Sequence, residues 1–259
     1  QTSYSDGRVT VFGINQNELG IRLCISIFVL LINLSIKYIY SSRIKIISLI
    51  SLPFLFVFLI DTGSRVAFLS LAIGIIVYFI LNTKFSFKKL FQLLLLTTSF
   101  ILIWVFFLKN TLLAERLFSS VTQRDLSGRE FRWEMAIDIF HGSPIFGVGE
   151  TGYGNLVESM FGVYSSPHNV FVEILAYTGI IGLFLFLVFF CRVIGVAFRN
   201  FKYNNELLSL ILLIPIFGLI ISGQILETKI VWLIFAYIIS VNLHSNKKVK
   251  ISNENYNVY

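Results

Sequence analysis

The sequence predicts an all-α fold: a polytopic transmembrane helical bundle with one large extracytoplasmic loop containing a short amphipathic helix. Three observations predict it. Of 259 residues 56% are hydrophobic and 27 are Phe, more apolar surface than a soluble domain of this length needs. The apolar residues fall in long continuous runs, without the period-two alternation of a transmembrane barrel strand. Lys and Arg, finally, concentrate in alternate connections between those runs.

Seven runs are expected to cross the membrane, at about 21–40, 44–60, 66–82, 90–108, 170–191, 206–222 and 229–243. Several are near the lower limit of about 17 residues for a bilayer. The first follows a polar opening, Gln1–Gly20, and holds Cys24. The second contains Pro53 and the sixth Pro215, which a buried bundle absorbs as kinks. The fifth is entered through Ser165-Ser166-Pro167-His168-Asn169 and holds Cys191. Both cysteines lie inside apolar runs and read as small core residues, so no disulfide framework is implied. Residues 1–259 are expected to form a single integral membrane domain. The chain lacks an initiator Met and a signal-peptide pattern, and it reads as part of something longer, with N-terminal spans missing.

The connections set an expected orientation. Lys37, Arg43 and Lys45 follow the first span, and Lys84, Lys88 and Lys89 the third. Arg192, Arg199 and Lys202 follow the fifth, and Lys247, Lys248 and Lys250 the seventh. With Glu206 and Glu254 that side carries a net +10, against −3 for everything else. The positive side is expected to be cytoplasmic. A net charge of +7 distributed this way belongs to membrane topology and gives no reason to expect a nucleic-acid partner.

One outside connection, 109–167, is far longer than the others. Ser127-Gly128-Arg129-Glu130 reads as a capping box opening a helix that runs to about His141, where Gly142-Ser143-Pro144 ends it. Glu130, Glu134 and Asp138 share a solvated face, and Trp133, Ala136, Ile137 and Phe140 the other. Arg129 and Arg132 fall beside the apolar residues. Two readings stand: their heads snorkel to phospholipid headgroups, or they point into a cavity and hold a phosphate bidentately. The run Gly147-Val148-Gly149-Glu150-Thr151-Gly152-Tyr153-Gly154 lacks a preceding strand and a following Lys-Ser/Thr, so it reads as a close-packed turn over the site rather than a nucleotide cradle.

Ionisable groups at membrane depth are costly and often functional. Asp61 and Arg65, in Asp61-Thr62-Gly63-Ser64-Arg65, either pair with each other or present Arg65 to the same outer side as Arg129; Arg8 lies on that side too. Arginines without a His/Cys/Asp grouping at metal spacing suggest that guanidinium groups, with no metal or other cofactor, neutralise a pyrophosphate. His168 is either a proton acceptor for an attacking hydroxyl or an interfacial His bonded to a loop carbonyl. Asn169 and Glu173, four apart on the emerging helix, either support His168 or merely cap and pair. Gly179 and Gly182 are expected to permit close helix approach. His141 and His244 read as a helix end and a membrane-exit residue.

Together these residues resemble the C-terminal part of the O-antigen ligase and O-antigen polymerase superfamily of bacterial envelope glycan enzymes. Four features carry the resemblance: Arg8…Gly13…Asn17…Gly20; Gly63-Ser64-Arg65-Val66-Ala67-Phe68-Leu69; Ser127-Gly128-Arg129, then Trp133, then Ser143-Pro144-Ile145-Phe146-Gly147-Val148-Gly149; and His168-Asn169 with Gly179 and Gly182. The resemblance implies a multi-pass protein of the bacterial inner membrane, with its site on the periplasmic or extracellular face. It implies metal-independent glycosyl transfer from an undecaprenyl-pyrophosphate-linked glycan to a glycan or lipid acceptor. Arg65 and Arg129, with Arg132 and Arg8 as weaker matches, would hold the pyrophosphate, and His168 would activate the acceptor. A transporter or flippase of the same lipid-linked sugars is the alternative. It would place charges within the spans and repeat internally, whereas here the polar groups gather in one loop.

Overall fold

The computed structural model describes residues 2–5, 8–11, 13–35, 42–82, 111–122, 129–223 and 228–256. Apart from an antiparallel hairpin, β1 (Thr2–Ser5) and β2 (Arg8–Val11), every described element is helical. The helices are α1 (Gln16–Ser35), α2 (Ser42–Asp61), α3 (Arg65–Asn82), α4 (Leu112–Thr122), α5 (Arg129–Gly142), α6 (Gly149–Phe161), α7 (Val170–Asn204), α8 (Leu208–Ser222) and α9 (Lys229–Tyr256). Among the described residues two stretches, Arg43–Asp61 and Val170–Asn204, are long and apolar enough to cross a membrane. The helices at Arg65–Leu81, Leu208–Ser222 and Lys229–His244 are apolar but shorter. The expected span 90–108 and the expected N-cap Ser127 lie outside the described residues.

The chain divides into two compact units, one of Gln1–Gly128 with Ile214–Ser222, the other of Arg129–Leu213 with Gly223–Tyr259. In the first, α1 and α3 approach through small residues. A Cβ at Gly20 would lie 2.8 Å from the Cβ atoms of Ala67 and Ser64, and one at Gly74 would collide with the Phe28 ring. Ser64 caps α3: its Oγ accepts from Ala67 N (3.3 Å) and donates to Asn17 Oδ1 (3.2 Å), tying the start of α3 to α1. Gly218 of α8 lies where a Cβ would press on Val66 and Ser70 of α3. Pro53 and Pro215 sit inside continuous helices.

The second unit is built on α7, which runs on to Asn204, well beyond the expected end at 191. It stops where Asn205 turns left-handed (φ 52°) and Glu206 N donates to the Asn200 carbonyl at 3.2 Å. Phe189 and Phe190 of α7 pack with Trp232 and Phe235 of α9 in tilted and edge-on pairs 5.5–6.0 Å apart, and Phe186 stacks on Phe190 at 5.8 Å. Below them the fully buried Asn200 donates to Ser209 Oγ (3.1 Å) and the Ile238 carbonyl (2.8 Å). Glu206 accepts from Ser209 and, at 2.9 Å, from Tyr237. A chain of polar contacts thus locks α7, α8 and α9 in register where apolar packing alone would let them slide.

Candidate functional site

Within α7 the helix is broken at Gly179, whose φ of 64° and ψ of −165° only glycine adopts readily. The backbone groups that the break leaves open are taken up by the turn Ser143–Val148. Ile180 N donates to the Pro144 carbonyl (3.0 Å), and Val148 N to the Ala176 carbonyl (3.0 Å). The two backbones touch. A Cβ at Gly179 would strike the Ile145 carbonyl, and one at Gly147 would strike the backbone of Tyr177 and Thr178. Gly179 therefore does more than permit helix approach: it seats the loop in the helix. Gly182 is tight against Thr178 of its own helix.

The Gly-rich run expected as a turn is one only as far as Val148; from Gly149 it is helix α6. Gly152 and Gly154 are tolerated because Tyr153 and Val157, one turn apart, are buried against α5 and α7 with Met135, Ala136, Ile139, Ala176 and Tyr177. The expected faces of α5 hold for Glu130, Glu134 and Asp138, which are exposed, and for Ala136, which is buried. Ile137, expected on the apolar face, is 38% exposed, and Met135 is buried in its place. The stripe against α7 and α6 lies along 132, 135, 136 and 139, so the half-buried Arg129 and Arg132 head the packed side of the helix.

Three consecutive loop residues are fixed from below. Tyr153 of α6 donates to the Ser165 carbonyl (3.3 Å), Ser166 Oγ accepts from His168 N (3.3 Å), and Trp133 of α5 donates from Nε1 to the Pro167 carbonyl (3.0 Å). Asn169 then caps α7, its Oδ1 accepting from Phe171 N (3.0 Å) and Val172 N (3.4 Å). Between these anchors His168 is held at a left-handed φ of 53°, an uncommon conformation for a residue with a Cβ. Burial and the charges of Arg132 and Arg129 push its imidazole below the ordinary histidine range, so the ring is biased to the neutral form.

One turn into α7, Glu173 is buried, and its charge reaches the Tyr153 hydroxyl. Burial first, then Tyr164 and Glu173, raise that phenol above its ordinary value, while Arg132 opposes them. Tyr164 and Tyr177 meet hydroxyl to hydroxyl at 3.2 Å. Thus His168, Arg129, Arg132, Asn169 and Glu173 lie together in the second unit, with Trp133, Tyr153, Tyr164 and Tyr177, whose roles the sequence did not announce. A partial signal was present, since Tyr177 is four residues beyond Glu173 on one helix face.

Arg65 and Arg8 belong to the first unit. Arg65 Nη1 donates to the Arg116 carbonyl (3.1 Å), and Arg116 Nη1 donates to the Gly63 carbonyl (2.8 Å), so two guanidinium groups brace the turn before α3. Arg8 opens β2 opposite Ser5. Among the described residues, no group of three or more His, Cys, Asp and Glu is placed to hold a metal ion.

No curated protein matches the chain. A family model described as O-Antigen ligase matches residues 46–187, from α2 to the middle of α7, and so takes in Arg65, Arg129, Arg132, His168 and Gly179 but not Arg8. The match covers more than half of the sequence, and with the His168 loop seated on the broken α7 inside it, the chain belongs to the O-antigen ligase family.

Proposed function

We propose that this protein is a glycosyltransferase of the bacterial envelope, spanning the inner membrane several times with residues 109–167 on its outer face. The donor is a glycan carried on undecaprenyl pyrophosphate. The acceptor is another lipid-linked repeat, if the enzyme polymerises, or a lipid or glycan acceptor, if it ligates. The observation that carries this reading is His168, biased to the neutral form beside Arg129 and Arg132 on a loop anchored at Ser165, Ser166 and Pro167.

The chemistry asked of these groups is small. The acceptor oxygen attacks the anomeric carbon, and its proton passes to the neutral imidazole of His168. The bond from that carbon to the pyrophosphate oxygen breaks, and the electron pair leaves with undecaprenyl pyrophosphate. Arg129 and Arg132 neutralise the charge of that leaving group. Asn169 and Glu173 support the site, the first by fixing where α7 starts and the second as a buried carboxylate beneath it.

The test is a surface-glycan gel from cells whose only copy of the full-length protein carries His168→Ala at wild-type abundance. Loss or shortening of the glycan is expected. Single repeats on the acceptor identify a polymerase, and long chains left on undecaprenyl pyrophosphate identify a ligase. A wild-type pattern would remove His168 from the mechanism and favour a transport role.

A further inference from the structure

At the far end of α7 from His168, beyond the stretch matched by the family, lies a cavity of about 440 Å³ between α7 and α9. Its walls are Phe189, Val193 and Val196 of α7 and Ile239 of α9, and among the described residues its charged lining is Arg192 and Arg199. The two arginines are seven apart, so they project from one helix face about 10 Å apart along the axis. Midway between them is Gly195, where a Cβ would meet nothing within 4 Å, so the face has an open notch flanked by two exposed guanidinium groups. From Arg192 a second, shallower groove of about 510 Å³ runs back up the helix past Cys191, Val188, Leu187 and Phe184. Apart from Arg192 its described lining is apolar, and Phe184, Leu187 and Val188 are exposed.

An apolar groove leading to a paired-arginine notch has the two halves of an amphiphile built into it. We propose that this face binds an anionic phospholipid, its phosphate in the Gly195 notch between Arg192 and Arg199 and its acyl chains in the groove toward Phe184. Guanidinium groups suit a phosphodiester because their planar forks meet two oxygens at once, and among the described residues no carboxylate lines the cavity to compete. The apolar groove runs from Arg192 back along α7 to Phe184, which gives acyl chains a place that a free anion would not use. The proposal rests on α7 crossing the bilayer, for which its length and apolar character qualify it, and not on the transferase reading. At the C-terminal end of α7, Lys202 lies over the exposed ring of Tyr203 at 5.5 Å, a pairing suited to the headgroup layer.

The full-length protein, purified in detergent and stripped of lipid, is offered phosphatidylglycerol or phosphatidylcholine of identical chains, and retained lipid is counted by native mass spectrometry. Phosphatidylglycerol is expected to be retained at one per chain and at least about fivefold in preference to phosphatidylcholine. Arg192→Gln and Arg199→Gln should each weaken it about fivefold, and together they should abolish the preference. Gly195→Phe should expel the lipid with both arginines present. Equal retention of the two lipids by the wild type, or an undiminished preference in the double variant, overturns the proposal. So does displacement of the lipid by millimolar inorganic phosphate alone, which would mean a free-anion site. Both arginines are exposed, so their replacement leaves the packing intact and decides the matter even if Gly195→Phe does not accumulate.

Discussion

His168 shows how a single residue is tuned by its neighbours. An imidazole near an anionic substrate would normally be drawn toward its charged form, useless as a base. Here desolvation comes first, and the guanidinium charges of Arg132 and Arg129 act with it, so the proton is held less tightly than in a free histidine. The consequence has a definite sign. A rate that needs neutral His168 should lose its acid limb at a pH below the ordinary 6.5, leaving the enzyme competent in mildly acid medium. Arg132→Gln removes one of the charges that lower the pKa, so the limb should move up toward the ordinary value. The pH profile of glycan transfer in membranes checks this, and NMR titration of the imidazole gives the same quantity independently of catalysis. An acid limb that stays put in Arg132→Gln, or moves down, would mean that Arg132 does not act on His168. Of these relations the sequence disclosed the residue types and their nearness along the chain. It did not disclose that Trp133 holds the Pro167 carbonyl, because an indole donor on an amphipathic helix reads only as an apolar residue.

Among the elements, the loop and the helix that carry the site form one piece. Ser143–Val148 and Gly179 are some thirty residues apart and were legible only as two separate glycine-bearing motifs. The contact between them is made of backbone N–H and carbonyl groups, which leave no trace in side-chain patterning beyond the glycines that permit it. Helix α6 was missed for a related reason: three of its first six residues are glycine, and the tertiary burial of Tyr153 and Val157 outweighs their low propensity. The start of α7, by contrast, was plain from its apolar run, though not its continuation from 191 to Asn204. The seating of the loop makes Gly179 the most sensitive position of the second unit. In Gly179→Ala the left-handed backbone costs about 1–3 kcal/mol, and the methyl group strikes the Ile145 carbonyl besides. The thermal midpoint of the purified protein should fall by about 5 °C or more, with transfer activity lost alongside. Gly195→Ala in the same helix, where a Cβ has open space and alanine is the better helix former, should keep the activity and lower the midpoint not at all. Equal behaviour of the two variants would mean that the break at Gly179 is not what holds the loop.

Charge and length at the scale of the whole molecule make one claim that neither residue nor element can test: α7 carries the chain from one side of the membrane to the other. The apolar run that opens α7, residues 170–191, is longer than the roughly 17 residues that a bilayer crossing needs. Its two ends differ. Before it come the arginines and acids of α5 and the His168 loop, and at its close stand Arg192, Arg199 and Lys202, on the side where Lys and Arg accumulate along the sequence. Excess Lys and Arg mark the cytoplasmic face, so the His168 end should be outside. Cys191 is exposed and Cys24 buried, so a Cys191→Ala background leaves little to react with a thiol reagent. In that background Glu158→Cys, at an exposed position of α6, should be labelled in spheroplasts by a membrane-impermeant maleimide. Asn204→Cys, exposed at the end of α7, should be labelled only after the membrane is opened. The reverse pattern would turn the molecule over and put His168 in the cytoplasm, where an outer-face transfer is impossible. Labelling of both positions in spheroplasts would mean that α7 lies along the membrane rather than through it, and the lipid site at Arg192 and Arg199 would fall with it.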